Sequence, residues 1–255
     1  MRRIDLNCDM GEVPEMLADG SQEALMQYVS SANIACGGHA GDAEMMRATI
    51  EQALHRNVAL GAHPGYEDRA NFGRLELQLA PEEISTSVHR QILELEKVAK
   101  ECGAHIVHVK AHGALYNRAA RDRETARAIA EGVRRSCTEF VLVGLAGSVM
   151  LEEFRAVGFA VAAEAFADRR YEPDGRLRSR KSAEALLHDP EQAAEQALRI
   201  VEQGEVVASD GGVISLVAQT ICIHGDTPGA PQIAAAVRRR LEEAGITIGA
   251  LPPGK

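Results

Sequence analysis

The chain has 255 residues, of which 45% are hydrophobic and 25% charged, enough apolar material for a continuous core. Its formal net charge of −9 comes without any Lys/Arg-rich block, so nothing is there to neutralise phosphates; nucleic-acid and anionic-membrane surfaces give way to a small-molecule partner. Five cysteines, odd in number and without a CxxC pair, suggest neither a disulfide framework nor a cysteine zinc site, and read as reduced thiols in a cytoplasm.

In chain order, short β-like runs alternate with helical ones. Strands are predicted over residues 3–8, 29–35, 58–62, 106–111, 140–145, 159–165 and 220–223, and helices over 43–55, 81–102, 125–135, 148–156, 190–203 and 231–244. Pro81-Glu82-Glu83 and Pro190-Glu191 put proline and acids in the first turn, where the missing N–H costs little and the helix dipole favours negative charge. The first strand follows no signal-peptide h-region, and no apolar stretch approaches the ~18–20 residues that span a bilayer, so a soluble, unexported protein is expected. The alternation implies a parallel sheet, open or closed into a barrel. With no dinucleotide fingerprint after the first strand and no phosphate-binding loop motif elsewhere, the barrel is favoured. Two stretches break the rhythm: 168–181, rich in Arg, Asp and Gly, and 206–216, a hairpin around Asp210-Gly211-Gly212. Both are expected near the site. No repeat or linker divides the chain, and residues 1–255 are expected to form one barrel domain.

Strand side chains alternate in direction, so each run splits into two faces. Asp5, Asn7 and Asp9 share a face of the first strand, and His108, Lys110 and His112 a face of the fourth. Glu164 and Phe166 share one in the sixth, with Asp168 just beyond, and the seventh places Cys222 with His224 and leads into Asp226. Three apolar runs end in a histidine followed by Gly or Pro: His63-Pro64, His112-Gly113 and His224-Gly225. An ordinary parallel strand, buried on both faces, reads as nearly continuous Val, Ile and Leu. Ionisable groups on one face instead imply a polar barrel interior, tolerated only where those groups are paired or hydrogen-bonded. Asp9, His112, Glu164 and His224 fall at C-terminal strand ends, where barrel enzymes carry their catalytic groups. The second strand leads into Cys36-Gly37-Gly38-His39-Ala40-Gly41-Asp42, whose glycines let backbone N–H groups approach a ligand and whose Asp42 suits a helix N-cap. Cys36 is assigned to packing, since only His39 is at hand to lower its pKa. His55, His89, His105 and His188 are read as structural or solvated.

Taken together, DLNCDMGE at 5–12, SANIACGGHAGD at 31–42, GAHPGYEDRANFGR at 61–74, HVKAHGALYN at 108–117, EAFADRRYEPDGRL at 164–177 and ICIHGDTPGA at 221–230 resemble the LamB/YcsF family, in the expected order over essentially the whole chain. The resemblance implies a distorted parallel (β/α) barrel similar to the glycoside hydrolase/deacetylase superfamily. It also implies hydrolytic opening of 5-oxo-L-proline to L-glutamate with ATP hydrolysis, shared with two partner subunits, B and C. For that chemistry Asp9 or His112 is the expected base, with Asp5 and Glu164 as second candidates. Lys110 is expected to hold an anionic oxygen or the substrate carboxylate, to form a salt bridge to Asp5 or Asp9 inside the barrel, or both. Substrate contacts are expected from Asn7, Asn33, His39, His63, Arg74, Tyr116, Asp168, Arg169, His224 and Asp226. ATP, with Mg2+, is expected on one of the partners or at an unconventional site here. No metal is assigned to the chain itself. The alternative, a metal-dependent deacetylase or amidohydrolase, would use Asp5 or Asp9 with His63, His112 and His224, but no HExxH or HxH spacing enforces such a site and an inward Lys110 would repel a cation. A non-enzymatic binding barrel is a third reading, and self-association is left open.

Overall fold

The computed structural model describes residues 2–182 and 184–254. β1 (Arg3–Met10), β2 (Ser31–Ala35), β3 (Ala59–His63), β4 (Ile106–Lys110), β5 (Val141–Leu145) and β6 (Ala160–Phe166) lie side by side in chain order and run parallel. A short antiparallel hairpin follows, β7 (Glu205–Val207) with β8 (Val213–Ser215), and then β9 (Thr220–Cys222) and β10 (Thr247–Ile248). Because β9 pairs with both β6 and β1, seven parallel strands close on themselves, while β10 extends the edge at the start of β1. The expected (β/α) barrel is the fold observed.

Helices α1 (Pro14–Ala18) and α2 (Ser21–Met26) follow β1, α3 (Ala43–Arg56) follows β2 and α4 (Pro81–Glu101) follows β3. Then α5 (Gly113–Ala119) and α6 (Arg123–Arg134) follow β4, α7 (Val149–Ala156) follows β5, α8 (Pro190–Gln203) precedes the hairpin and α9 (Ala230–Glu243) follows β9. Their starts follow the sequence: Asp42 accepts the Met45 amide at 2.9 Å, and Asp189 accepts the Glu191 amide at 2.8 Å ahead of Pro190, satisfying donors that no helical carbonyl reaches. The sequence did not announce α1, α2, α5 and β10, because each is too short for a helical or strand period to repeat. Among the described residues no helix is long and apolar enough to cross a membrane.

The outward faces of the strands form the core: Ile4, Leu6, Ile34 and Leu60 pack with Ile50, Ile92 and Leu95 of the surrounding helices, all buried. The inward faces are polar, and Asp5 clasps the barrel where it closes. Its Oδ1 accepts the Ser30 and Ser31 hydroxyls, each at 2.7 Å, and its Oδ2 accepts the Thr220 hydroxyl at 2.6 Å, which ties β1 to β2 on one side and β9 on the other. A second device sets β3 against β4. Gly61 leaves room for the His108 ring, whose Nε2 donates to Asn33 Oδ1 at 2.8 Å; a Cβ added at Gly61 would lie 2.0 Å from that nitrogen. Burial, reinforced by the Lys110 charge, pushes His108 down to about 3, so the ring is neutral.

Gly61→Ala forces a fixed ring aside and is expected to lower the unfolding free energy by ~1–3 kcal/mol, read as a lower urea midpoint at unchanged slope. Asp5 is held above its ordinary carboxyl range, chiefly by burial, which outweighs the three hydroxyl bonds. An acid whose pKa is higher folded than unfolded binds more protons in the folded state, so its contribution to stability falls as pH rises above about 4. Asp5→Asn removes that titration: relative to the native chain its stability deficit is expected to be largest at acid pH and to shrink toward neutrality in urea melts run across pH.

Candidate active site

At their C-terminal ends the strands open into a cavity of about 740 Å³. Of the residues singled out in the sequence, Asp9, His63, Arg74, Lys110, His112, Tyr116, Arg169, His224 and Asp226 line it. Asp5, Asn7, Asn33, His39, Glu164 and Asp168 lie behind that lining, where they position it. Thr220 Oγ1 accepts from Asn7 Nδ2 at 2.6 Å, and the same amide reaches Glu164 Oε1 at 3.0 Å. Asn33 Nδ2 then donates to Asn7 Oδ1 at 2.8 Å and Asp9 Oδ1 at 2.9 Å.

Lys110 stands at the centre of this floor. Its Nζ lies 2.9 Å from Glu164 Oε1, 3.0 Å from Asp9 Oδ1, 3.1 Å from Cys222 Sγ and 3.3 Å from Asn7 Oδ1. Three N–H donors are thereby committed. Burial works against the charge, yet Asp9 and Glu164 outweigh it and hold the ammonium well above its ordinary range. Burial likewise opposes ionisation of Asp9, and His63 beside it, with the Lys110 ammonium, overcomes this and keeps the carboxylate well below its usual range. The interior salt bridge that the sequence offered Lys110 is formed, to Asp9 rather than Asp5.

Next to Asp9 lies a histidine cluster. His63 Nδ1 donates to the Lys110 carbonyl at 2.8 Å, and His112 Nε2 donates to the Phe72 carbonyl at 2.9 Å. Their other nitrogens approach each other at 2.9 Å, and Glu12 Oε1 lies 3.1 Å from His112 Nδ1 and 3.8 Å from His63 Nε2. His39 stacks flat on His112, with ring centres 3.6 Å apart, and its Nε2 donates to Glu12 Oε1 at 2.9 Å. Burial pushes His39 down to about 4.

On the opposite wall His224 Nδ1 lies 2.9 and 3.1 Å from the two oxygens of Asp168, which is fully buried and also accepts the Thr227 hydroxyl at 3.1 Å. The ring stacks on Phe166, and its Nε2 is left for the cavity that the ring lines. This carboxylate–imidazole pair fixes the ring's tautomer and orientation. The 168–181 excursion supplies the cationic side of the cavity. Arg180 and Arg74 both pair with Asp226, and Arg74 also lies 4.8 Å over the Phe72 ring. Arg169 donates to the Arg178 carbonyl at 2.6 Å, and burial, with the Arg180 charge, brings its pKa down to about 10. The 206–216 hairpin, expected beside the site, contributes nothing to the lining. It braces the excursion from behind, Ser209 donating its amide to the Tyr171 carbonyl at 2.8 Å and its hydroxyl to Glu172 at 2.7 Å. Cys36 is buried beneath His63, and burial pushes its thiol up to about 12, consistent with packing.

Known proteins are similar to this chain in sequence and fold. The LamB/YcsF family model matches residues 4–254. A Chloroflexus aggregans protein named as the A subunit of 5-oxoprolinase is 51% identical over 97% of this chain and 98% of its own length. The crystal structure of a lactam utilization protein from Thermus thermophilus superposes with a TM-score of 0.89 at 43% identity, covering 98% of this chain and all of that one. A family 4 carbohydrate esterase from Streptomyces lividans, 10% identical with a TM-score of 0.53 over 98% of this chain and 93% of its own, shares the fold.

Three participants escaped the sequence reading. Glu12 stands inside the DLNCDMGE stretch, but beyond the strand end and after Gly11, whose φ of 69° turns the chain, so counting alternate faces does not reach it. Phe72 acts through its backbone carbonyl, and its own φ of 55° puts a bulky residue in the left-handed region, a conformation that concentrates at functional sites. Arg180 belongs to the excursion, where no period assigns faces. Gly73 follows Phe72, and a Cβ there would lie 2.7 Å from His39 Cβ and 3.1 Å from His112 Cδ2. Gly73→Ala is therefore expected to move the ring-proton NMR resonances of His39, His63 and His112 while those of His89 and His188 stay in place.

Proposed function

The chain belongs to the LamB/YcsF family, and on that premise we propose that it is the A subunit of an ATP-dependent 5-oxoprolinase, opening 5-oxo-L-proline to L-glutamate. The observation that carries the reading is the joining, in one cavity, of a floor of Asp9, buried Lys110 and imidazoles to a wall of guanidinium groups. The floor suits hydrolysis and the wall suits an anionic substrate.

A lactam is a resonance-stabilised amide, and phosphorylation of its oxygen by ATP gives an imidate-like electrophile. Water adds to that carbon while a base takes its proton. The C–N bond then breaks as the nitrogen gains a proton, and a second water hydrolyses the remaining acyl phosphate to the carboxylate and phosphate. Asp9 is the base, because of the three carboxylates considered for that role, Asp5, Asp9 and Glu164, it alone lines the cavity. Asp5 and Glu164 lie behind it and are positioning groups. His224, backed by Asp168, carries the proton to the leaving nitrogen. Arg74, Arg169 and Arg180 take the substrate carboxylate and the transferred phosphoryl group, and the buried Tyr116 hydroxyl, without a hydrogen-bond partner among the described residues, is available to the lactam.

Activation by ATP, delivered with Mg2+, is assigned to the partner subunits B and C, since the sequence carries no GxxxxGK(S/T) phosphate-binding motif. Glutamate release from 5-oxo-L-proline and ATP is expected from the assembled complex and not from this chain alone. His224→Ala is expected to lower that rate by ~10²–10⁴-fold with its circular dichroism unchanged. Glutamate release by the chain alone, or tight ATP binding to it in calorimetry, would sink the assignment of activation to the partners.

A further inference from the structure

The Glu12, His63 and His112 cluster is built for something more positive than a substrate contact. Each imidazole has one nitrogen committed as a donor, because a backbone carbonyl can only accept: His63 Nδ1 to Lys110 and His112 Nε2 to Phe72. In the neutral rings, His63 Nε2 and His112 Nδ1 are therefore both lone pairs, and they stand 2.9 Å apart beside a carboxylate oxygen. Three acceptors at this spacing repel unless a cation lies between them. Fixing one ring nitrogen through a carbonyl is also how proteins aim the other at a metal.

From this arrangement we propose that Glu12 Oε1, His63 Nε2 and His112 Nδ1 are the protein ligands of one divalent transition-metal ion. Their separations of 2.9, 3.1 and 3.8 Å define a circle of radius about 1.9 Å, so an ion slightly out of their plane meets each at the ~2.0–2.2 Å of zinc bonds to histidine nitrogen and carboxylate oxygen. Charge points the same way. Asp9, Glu12 and Glu164 bring three carboxylates to this floor, and Lys110 is the cation paired with Asp9 and Glu164. All three ligands line the cavity, which gives the ion an entry path and an open position.

His39 is near but is not a ligand. Its plane lies 2° from that of His112 at 3.6 Å, so the two rings are parallel and do not converge on one point, and its Nε2 is committed as a donor that orients Glu12. Lys110, which the sequence set against any cation, is turned away: its ammonium faces Asp9 Oδ1, while Asp9 Oδ2 lies 3.4 Å from His63 Nε2, so the carboxylate screens one charge from the other.

The test is calorimetric titration of zinc into the untagged, EDTA-stripped full chain, with metal content read by elemental mass spectrometry, and it needs no assumption about the reaction. One equivalent is expected to bind. Glu12→Gln and His63→Ala should each weaken binding by ~100-fold or more with unchanged circular dichroism, and His89→Ala should bind as the native chain does. Cobalt in the native chain gives a readout without any variant, namely visible d–d absorption and no thiolate charge-transfer band. Failure of the native chain to take up an equivalent would overturn the proposal and leave a proton between the rings. A thiolate band, or loss of binding in Cys222→Ser with Glu12→Gln unaffected, would overturn it equally, by placing the ion in the neighbouring group of Asp9, Cys222 and His224.

Discussion

The barrel is organised around one ammonium group. Lys110 enters from β4 and meets Asp9 from β1 and Glu164 from β6 at 3.0 and 2.9 Å, all three in the interior of a closed sheet. Taking such charges out of water costs several kcal/mol per ion, and removing one partner of a buried pair costs ~3–5 kcal/mol because the other is stranded. The network is therefore a constraint on register as much as a source of stability. A one-residue slip of any of the three strands would send its charge outward into the aliphatic layer of Leu6, Val109 and Ala165. The amides of Asn7 and Asn33 add hydrogen bonds to Glu164 Oε1 and Asp9 Oδ1 and link to each other.

That requirement shapes the functional end. Because Lys110 spends its three donors on the floor, it fixes Asp9 in place, and the other cations of the cavity arrive from elsewhere. They come from the excursion after β6, where Arg169 and Arg180 are held by a backbone carbonyl and by Asp226, and from Arg74 beside Phe72. A chain of net charge −9 thus presents guanidinium groups along one wall of its cavity. Net charge describes solubility and long-range behaviour, and the local field at a site is set by which side chains the fold gathers there.

Much of this was legible beforehand for a simple reason. A strand reports its own faces with a period of two, so Asp5, Asn7 and Asp9, or His108, Lys110 and His112, declare themselves inward as soon as their neighbours read as aliphatic. What the period could not give was depth. Asp5 and Asp9 share a face, yet Asp5 is saturated by three hydroxyls where the barrel closes and Asp9 reaches the cavity. Nor could it give partners across the barrel: that Asp168 backs His224, or that His39 lies flat on His112, depends on strands and loops distant in sequence.

The sequence by itself determined the alternation of strands and helices, the polar inner face, the family resemblance and the end of the barrel at which chemistry gathers, because each is written in short-range periodicity or contiguous motifs. Only the tertiary structure decided which of those polar groups are floor and which are lining, brought Glu12 and the Phe72 carbonyl into the histidine cluster, and turned Lys110 toward Glu164. Those outcomes rest on loop turns with positive φ and on contacts between residues as far apart as Asn7 and Thr220, and such distances are fixed only when the barrel closes and the buried charges must each find a partner.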